Sequence, residues 1–156
     1  MIIARPFNLV GPGLDARLAL GSFARQLAAV LRGEVARVEC GPLEARRDYL
    51  DVRDAVEAYL ALADLGLPGE VVHVCSGKSY RLGDLLAQMI ELAGVAVEVH
   101  VSRSRRQSDP LEIMGDYGKL ARRTGWRPRI AMRTSLADML QAAIAANRPA
   151  HGCLSR

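Results

Sequence analysis

The apolar positions switch between two spacings along the chain, and the switches outline alternating strands and helices. Ile2 to Phe7 reads as a buried strand that ends at Pro6, because proline cannot donate to a ladder. Phe23, Leu27, Val30 and Leu31 recur at helical spacing, with Ser22 as the predicted cap and Gly33 as the stop. Val35 to Cys40 is a short strand. Val52, Val56, Tyr59, Leu60 and Ala63 fall on one face of a 3.6-residue period, so a helix capped by Asp51 is predicted, stopping near Leu67-Pro68-Gly69. Glu70 to Val74 is the next strand, and Cys75 to Ser79 is a strand-to-helix turn. Leu82, Leu85, Leu86 and Met89 mark a helix stopped by Gly94. Val95, Val97, Val99 and Val101 alternate with Ala96, Glu98 and His100, the cleanest strand pattern in the chain. Asp116 is the expected cap of a helix that carries Leu120 and Ala121 and ends at Gly125. Ser135 to Asp138 resembles a capping box, and Leu136, Met139, Leu140, Ala143 and Ile144 form the last helical face. The fold class is therefore α/β, with residues 1–146 as a single unit and 147–156 as a frayed polar tail. About four strands can be counted, few for a doubly wound sheet, and a core strand so close to the first residue suggests missing upstream structure.

Composition narrows the function classes. Half of the 156 residues are hydrophobic, which excludes a disordered tail and supplies a real core. The net charge of +4 permits an anionic ligand without demanding nucleic acid. Aromatic residues make up only 4% of the chain, too few for base-stacking platforms. Cys40, Cys75 and Cys153 are odd in number and widely spaced, so they read as free thiols of a reducing cytoplasm. No signal peptide, membrane span or metal-ligand spacing of His, Cys and carboxylates is evident. His73 is expected to face the core, His100 the polar side of its strand, and Trp126 to act as a packing anchor.

The chemistry concentrates in residues 41–57, where Arg46, Arg47 and Arg53 interleave with Asp48, Asp51 and Asp54. Arg46 and Arg47 precede a helix N-terminus, an arrangement that suits a bidentate phosphate; mutual pairing of these charges at a turn is the alternative. Arg103, Arg105 and Arg106 occupy a hydroxyl-rich loop that suits either phosphate or solvent. Gly11-Pro12-Gly13-Leu14-Asp15-Ala16 matches the dinucleotide pattern G-x-G-x-x-A, with Glu34 or Glu39 as a ribose partner. Pro12 has no N–H for a pyrophosphate and the helical period begins later, so residues 11–21 are read as a loop over a site.

Three stretches carry a resemblance: Arg5-Pro6-Phe7-Asn8-Leu9-Val10-Gly11-Pro12-Gly13, Leu43 through Asp54, and Gly115-Asp116 through Gly125-Trp126-Arg127-Pro128. Together they resemble the C-terminal half of the extended short-chain dehydrogenase/reductase family acting on nucleotide sugars. The branch is that of GDP-mannose 4,6-dehydratase and GDP-4-keto-6-deoxy-mannose reductase. The resemblance implies the C-terminal part of a Rossmann-like NAD(P)-binding fold with its small substrate-binding domain, completed by oligomerisation. It implies that Pro6 and Phe7 lie against the nicotinamide of NAD or NADP. It assigns Asn8, Arg47, Arg106 and Asp109 to the nucleotide sugar, although Gln107 stands where the family motif has proline.

The family transfers a hydride with a Tyr-x-x-x-Lys pair handling the proton. Tyr49, Tyr59, Tyr80 and Tyr117 are followed four residues on by Arg53, Ala63, Asp84 and Ala121, so that pair is absent. The Gly-rich cofactor loop is absent too, and Leu9 replaces a usual histidine. No catalytic residue is assigned. The expected role is the GDP-sugar-binding portion of a dehydratase, reductase or epimerase, inactive alone. The alternative is a non-catalytic nucleotide-sugar binder or partner-complementing protein. Either is expected to form a homo-oligomer or to join a separate N-terminal half, without nucleic acid or membrane.

Overall fold

The structure is a computed structural model that describes residues 2–65, 69–102 and 110–146. Its elements run β1 (Ile3–Pro6), β2 (Asn8–Val10), α1 (Ala19–Leu31), β3 (Arg37–Cys40), β4 (Arg46–Asp51) and α2 (Val52–Leu65). There follow β5 (Val71–Val74), β6 (Ser79–Arg81), α3 (Leu82–Ala93), β7 (Glu98–Val101), β8 (Glu112–Ile113), α4 (Gly118–Thr124) and α5 (Met132–Ala146). β1 pairs in parallel with β5, β2 in parallel with β4, and β3 in parallel with β7. β4 also pairs antiparallel with β6 and parallel with β8. This mixed α/β order with parallel crossovers is the expected class.

Two cores form on either side of these strands. One joins α1, α3 and α5 through Leu20, Phe23, Leu27, Leu85, Met89, Leu136 and Met139, with Val10, Val38 and Tyr49 from the strands. The other lies under α2 and α4 and contains Leu50, Ala55, Ala58, Leu62, Val72, Val74, Leu120 and Trp126. Trp126 is a packing anchor as expected, and its indole N–H donates to the Asp54 carbonyl at 3.1 Å.

Several local expectations change. The stretch 46–51 is a strand, not a lead-in to a helix: four of its six residues are charged, which hides a β pattern. Its charges are tolerated because Asp48 and Asp51 are buried on hydrogen-bond partners. β6 and β8 were also not expected, so the turn at 75–79 leads into a strand before its helix. α1 begins at Ala19 with Leu18 at the cap, which places Ser22 inside the helix. α4 is capped at Tyr117, one residue after Asp116, whose Oδ1 accepts the Gly118 amide at 2.6 Å. α5 begins at Met132, and Ser135 donates to Asp51 instead of capping. The stripe Val52, Val56, Tyr59, Leu60, Ala63 faces solvent, while Ala55, Ala58 and Leu62 face the core. His73 is exposed, because it alternates with the buried Val72 and Val74. Gly94 and Gly125 close α3 and α4 in the left-handed conformation, as their positions predict.

Candidate functional site

The site is assembled on β4. Asn8 lies opposite Tyr49 in the parallel β2–β4 register, and Arg47 is two residues before Tyr49. Side chains alternate along a strand, so Asn8, Arg47 and Tyr49 share one face and Asp48 takes the other. Asn8 and Arg47 are about 8 Å apart by strand geometry, a separation that a diphosphate bridges. The structure therefore brings together two residues that are far apart in sequence.

Asn8 Nδ2 donates to the Asp48 carbonyl at 2.9 Å, which holds the amide against β4. Arg47 Nη1 donates to the carbonyls of Arg46 and Leu111, at 2.8 and 3.2 Å. Arg47 makes no ion pair among the described residues. Arg46 is engaged by Glu112 and the Ser79 carbonyl, and Arg53 by Asp51 and Asp138. Mutual pairing within the stretch thus accounts for Arg53 alone, Arg46 is held by the distant Glu112, and Arg47 keeps its charge half-exposed. Arg106 and Asp109 lie outside the described residues.

Each of the three aspartates has its own buried hydrogen-bond partners. Asp48 is fully buried. Its Oδ1 accepts from the Ser76 amide and hydroxyl, both at 2.8 Å, and its Oδ2 from the Gly77 and Gly115 amides at 2.9 and 3.2 Å. One carboxylate thus clamps the β5–β6 turn and the segment before α4 onto β4. Asp51 caps α2 through the Arg53 amide at 2.9 Å and accepts from Ser135 Oγ at 2.6 Å. Burial pushes the Asp51 pKa up, but the hydrogen bonds from Arg53 and Ser135 outweigh it and hold the carboxyl below its ordinary value. Asp54 accepts the amides of Arg129 and Ile130. No sequence pattern marks the latch role of Asp48. A buried acceptor for several backbone N–H groups leaves no mark in sequence spacing.

Pro6 is exposed and Phe7 half-buried at the end of β1. Phe7 meets His73 edge to face, with ring centroids 5.5 Å apart, and its tip lies against Gly115. A Cβ on Gly115 would stand 2.6 Å from Cys75 Sγ and 2.8 Å from Phe7 Cζ, so only glycine fits there. Burial, then the nearby Asp48 charge, pushes the Cys75 thiol up to about 12, which keeps it un-ionised at neutral pH. These residues do not form a dinucleotide cradle. Such a cradle needs a glycine turn opening a helix, so that free amides reach the pyrophosphate. Five residues separate Gly13 from α1, and Pro12 lacks an N–H. The described residues alone do not fit NAD(P), and no hydride step is derived from them.

A cavity of about 480 Å³ opens between the start of α1, the ends of β3 and β7 and the start of α3, lined by Leu18, Ser22, Gly41, Leu43, Leu82 and His100 among others. Its volume lies within the usual range for small-ligand sites. Leu43 of its wall lies three residues before β4, and the amide of Leu82, another lining residue, donates to the Ala45 carbonyl; Asn8 and Arg47 are not among its lining residues. The three-residue minimum of His, Cys and carboxylate needed for a metal does not occur among the described residues. No helix among them is long and apolar enough to cross a membrane.

Comparison with known proteins places this geometry. The profile of the GDP-mannose 4,6 dehydratase family matches residues 1–139. The chain is 35% identical to the GDP-6-deoxy-D-mannose reductase of Pseudomonas aeruginosa over 142 residues, covering 90% of this chain and 47% of that protein. It is 31% identical to the dTDP-6-deoxy-L-talose 4-dehydrogenase (NAD(P)(+)) of Kitasatospora kifunensis, covering 88% of this chain and 44% of that protein. The structure of RMD from Pseudomonas aeruginosa complexed with NADPH superposes with a TM-score of 0.88 at 34% identity, over 93% of this chain and 48% of that one. The chain spans about half the length of the relatives it matches.

Proposed function

The chain belongs to the GDP-mannose 4,6 dehydratase family, and on that premise we propose that it is the nucleotide-sugar-binding portion of an NAD(P)-dependent dehydratase, reductase or epimerase. A GDP-sugar is the favoured ligand. The observation that carries this reading is Arg47: a half-exposed guanidinium on the same strand face as Asn8, without an ion-pair partner among the described residues. The diphosphate lies across Arg47 and Asn8, where a guanidinium fork matches phosphate oxygens. Arg106 and Asp109, outside the described residues, are assigned to the same ligand by the family resemblance. NAD or NADP, when present, supplies the hydride chemistry; Pro6 and Phe7 wall its nicotinamide side. The catalytic residues and the pyrophosphate cradle come from an N-terminal half, since a second copy of this sequence would lack them too.

Thermal-shift titration of the chain with GDP, GDP-mannose, UDP-glucose, NAD and NADP tests this. A ligand that binds only the folded state raises the Tm by mass action. The expected result is stabilisation by GDP compounds. Stabilisation by none of the nucleotides overturns the reading.

A further inference from the structure

Tyr49 stands in the middle of the strand face that carries Asn8 and Arg47. Asn8 is its register partner across the β2–β4 pair, and Arg47 precedes it by two residues on β4. Residues two apart on a strand share a face at a spacing of about 7 Å, and a register partner lies about 5 Å to the side. A ligand group that bridges Asn8 and Arg47 therefore passes over Tyr49.

The ring of Tyr49 belongs to the core shared by α1, α3 and α5, and only 9% of the residue is exposed. That core is built of residues such as Val10, Leu20, Phe23 and Leu136, which offer no side-chain oxygen to a phenol. The Tyr49 hydroxyl makes no hydrogen bond among the described residues. A buried tyrosine ordinarily finds a partner for its O–H, because a hydroxyl stripped of water and given nothing in return is destabilising. Phenylalanine would fill the same ring volume without that penalty. The other tyrosines do not share the problem: Tyr59 is exposed, and Tyr80 and Tyr117 are half-buried.

The Tyr49 phenol also feels the Arg47 charge. Burial raises its pKa, and the Arg47 guanidinium partly offsets that rise. The phenol thus stays protonated at neutral pH and is available as an O–H donor. Its neighbours on the face are donors too. Arg47 gives Nη1 to the carbonyls of Arg46 and Leu111, which leaves Nε–H and Nη2 as a free fork. Asn8 gives one Nδ2 proton to the Asp48 carbonyl and keeps the other. Asp51, the carboxylate two residues beyond Tyr49, is already held by Arg53 and Ser135. One strip therefore presents a guanidinium, a phenol and an amide, all with protons to donate, and this set suits the oxygens of an anion.

We propose that Tyr49 is a ligand-contact residue: its hydroxyl donates to a non-bridging phosphate oxygen of the diphosphate that Arg47 and Asn8 hold. The inference rests on the function proposed above and supplies the middle contact of that site.

Calorimetric titration of the unmodified chain and of Tyr49→Phe, with GDP and with inorganic pyrophosphate, tests this. The variant keeps the ring and deletes only the oxygen. Its Kd for both ligands is expected to rise about tenfold, the loss of one hydrogen bond to a charged group. Its ligand-free Tm is expected to stay the same or rise, since no bond within the protein is lost. Pyrophosphate is transparent in the near ultraviolet, so the tyrosine difference absorption on adding it reads the hydroxyl directly. That signal is expected from the unmodified chain and not from Tyr49→Phe. Equal Kd values for the two proteins overturn the proposal, and so does a rise for GDP alone, which would move the contact to the nucleoside. A lowered ligand-free Tm with an unchanged difference spectrum overturns it as well, because the hydroxyl then serves the fold. A chain that binds neither GDP nor pyrophosphate overturns the ligand reading and this contact together, whereas binding that survives unchanged in Tyr49→Phe overturns the contact only.

Discussion

Asp48 carries four hydrogen bonds on one buried carboxylate, and each comes from a segment that would otherwise leave β4. Asp48→Asn keeps the volume but points an NH2 at N–H donors. It should cost about 2–4 kcal/mol, because buried donors then lose their acceptor. Urea unfolding measures this, and a change below about 0.5 kcal/mol would contradict the latch. Arg47 is the converse case, since its described hydrogen bonds go to two carbonyls at a partly exposed position. Arg47→Ala should abolish the GDP-induced Tm shift while changing the ligand-free stability by only about 0.5 kcal/mol. Asp51 gives a pH dependence. Its folded pKa lies below the ordinary value of 3.8. The stability it contributes is therefore present above that value and lost as pH falls through the lower folded pKa. The stability gap between the unmodified chain and Asp51→Asn should be constant from neutral pH to about pH 5 and narrow below about pH 4. A gap that does not narrow in acid would refute the assignment.

Helix α2 shows what periodicity can and cannot say. Its existence and its Asp51 cap follow from the sequence, but its buried side does not. Ala55, Ala58 and Leu62 are as apolar as the stripe that faces solvent, so both arcs satisfy the same 3.6-residue period. Paired truncations distinguish them. Leu62→Ala should cost about 2–4 kcal/mol through the cavity it leaves, and Leu60→Ala about 0.5 kcal/mol or less. The reverse order in chemical denaturation would restore the stripe as the core side. α5 shows a related limit. Ser135 reads locally as a cap, yet its hydroxyl spans 84 residues to Asp51. A side chain buried between elements answers to its tertiary partner before its own helix.

At the scale of the whole molecule, the site is divided. On the proposed function the substrate side is Asn8 and Arg47, whereas Tyr-x-x-x-Lys and the Gly-rich cofactor loop do not occur in this sequence. The isolated chain is therefore expected to show no change in nicotinamide absorbance with GDP-mannose, or its 4-keto product, and NAD(P)H. Measurable turnover would overturn that division. The sequence by itself determined the α/β order, the glycine stops at Gly94 and Gly125, the anchor at Trp126 and the family, because these depend on local periodicity, left-handed backbone and contiguous motifs. Only the tertiary structure decided that residues 46–51 are a strand, that Asp48 is a latch and that the α2 stripe is uncovered. Each of these depends on which distant group arrives to satisfy a charge or cover a face, and spacing along the chain does not encode that arrival.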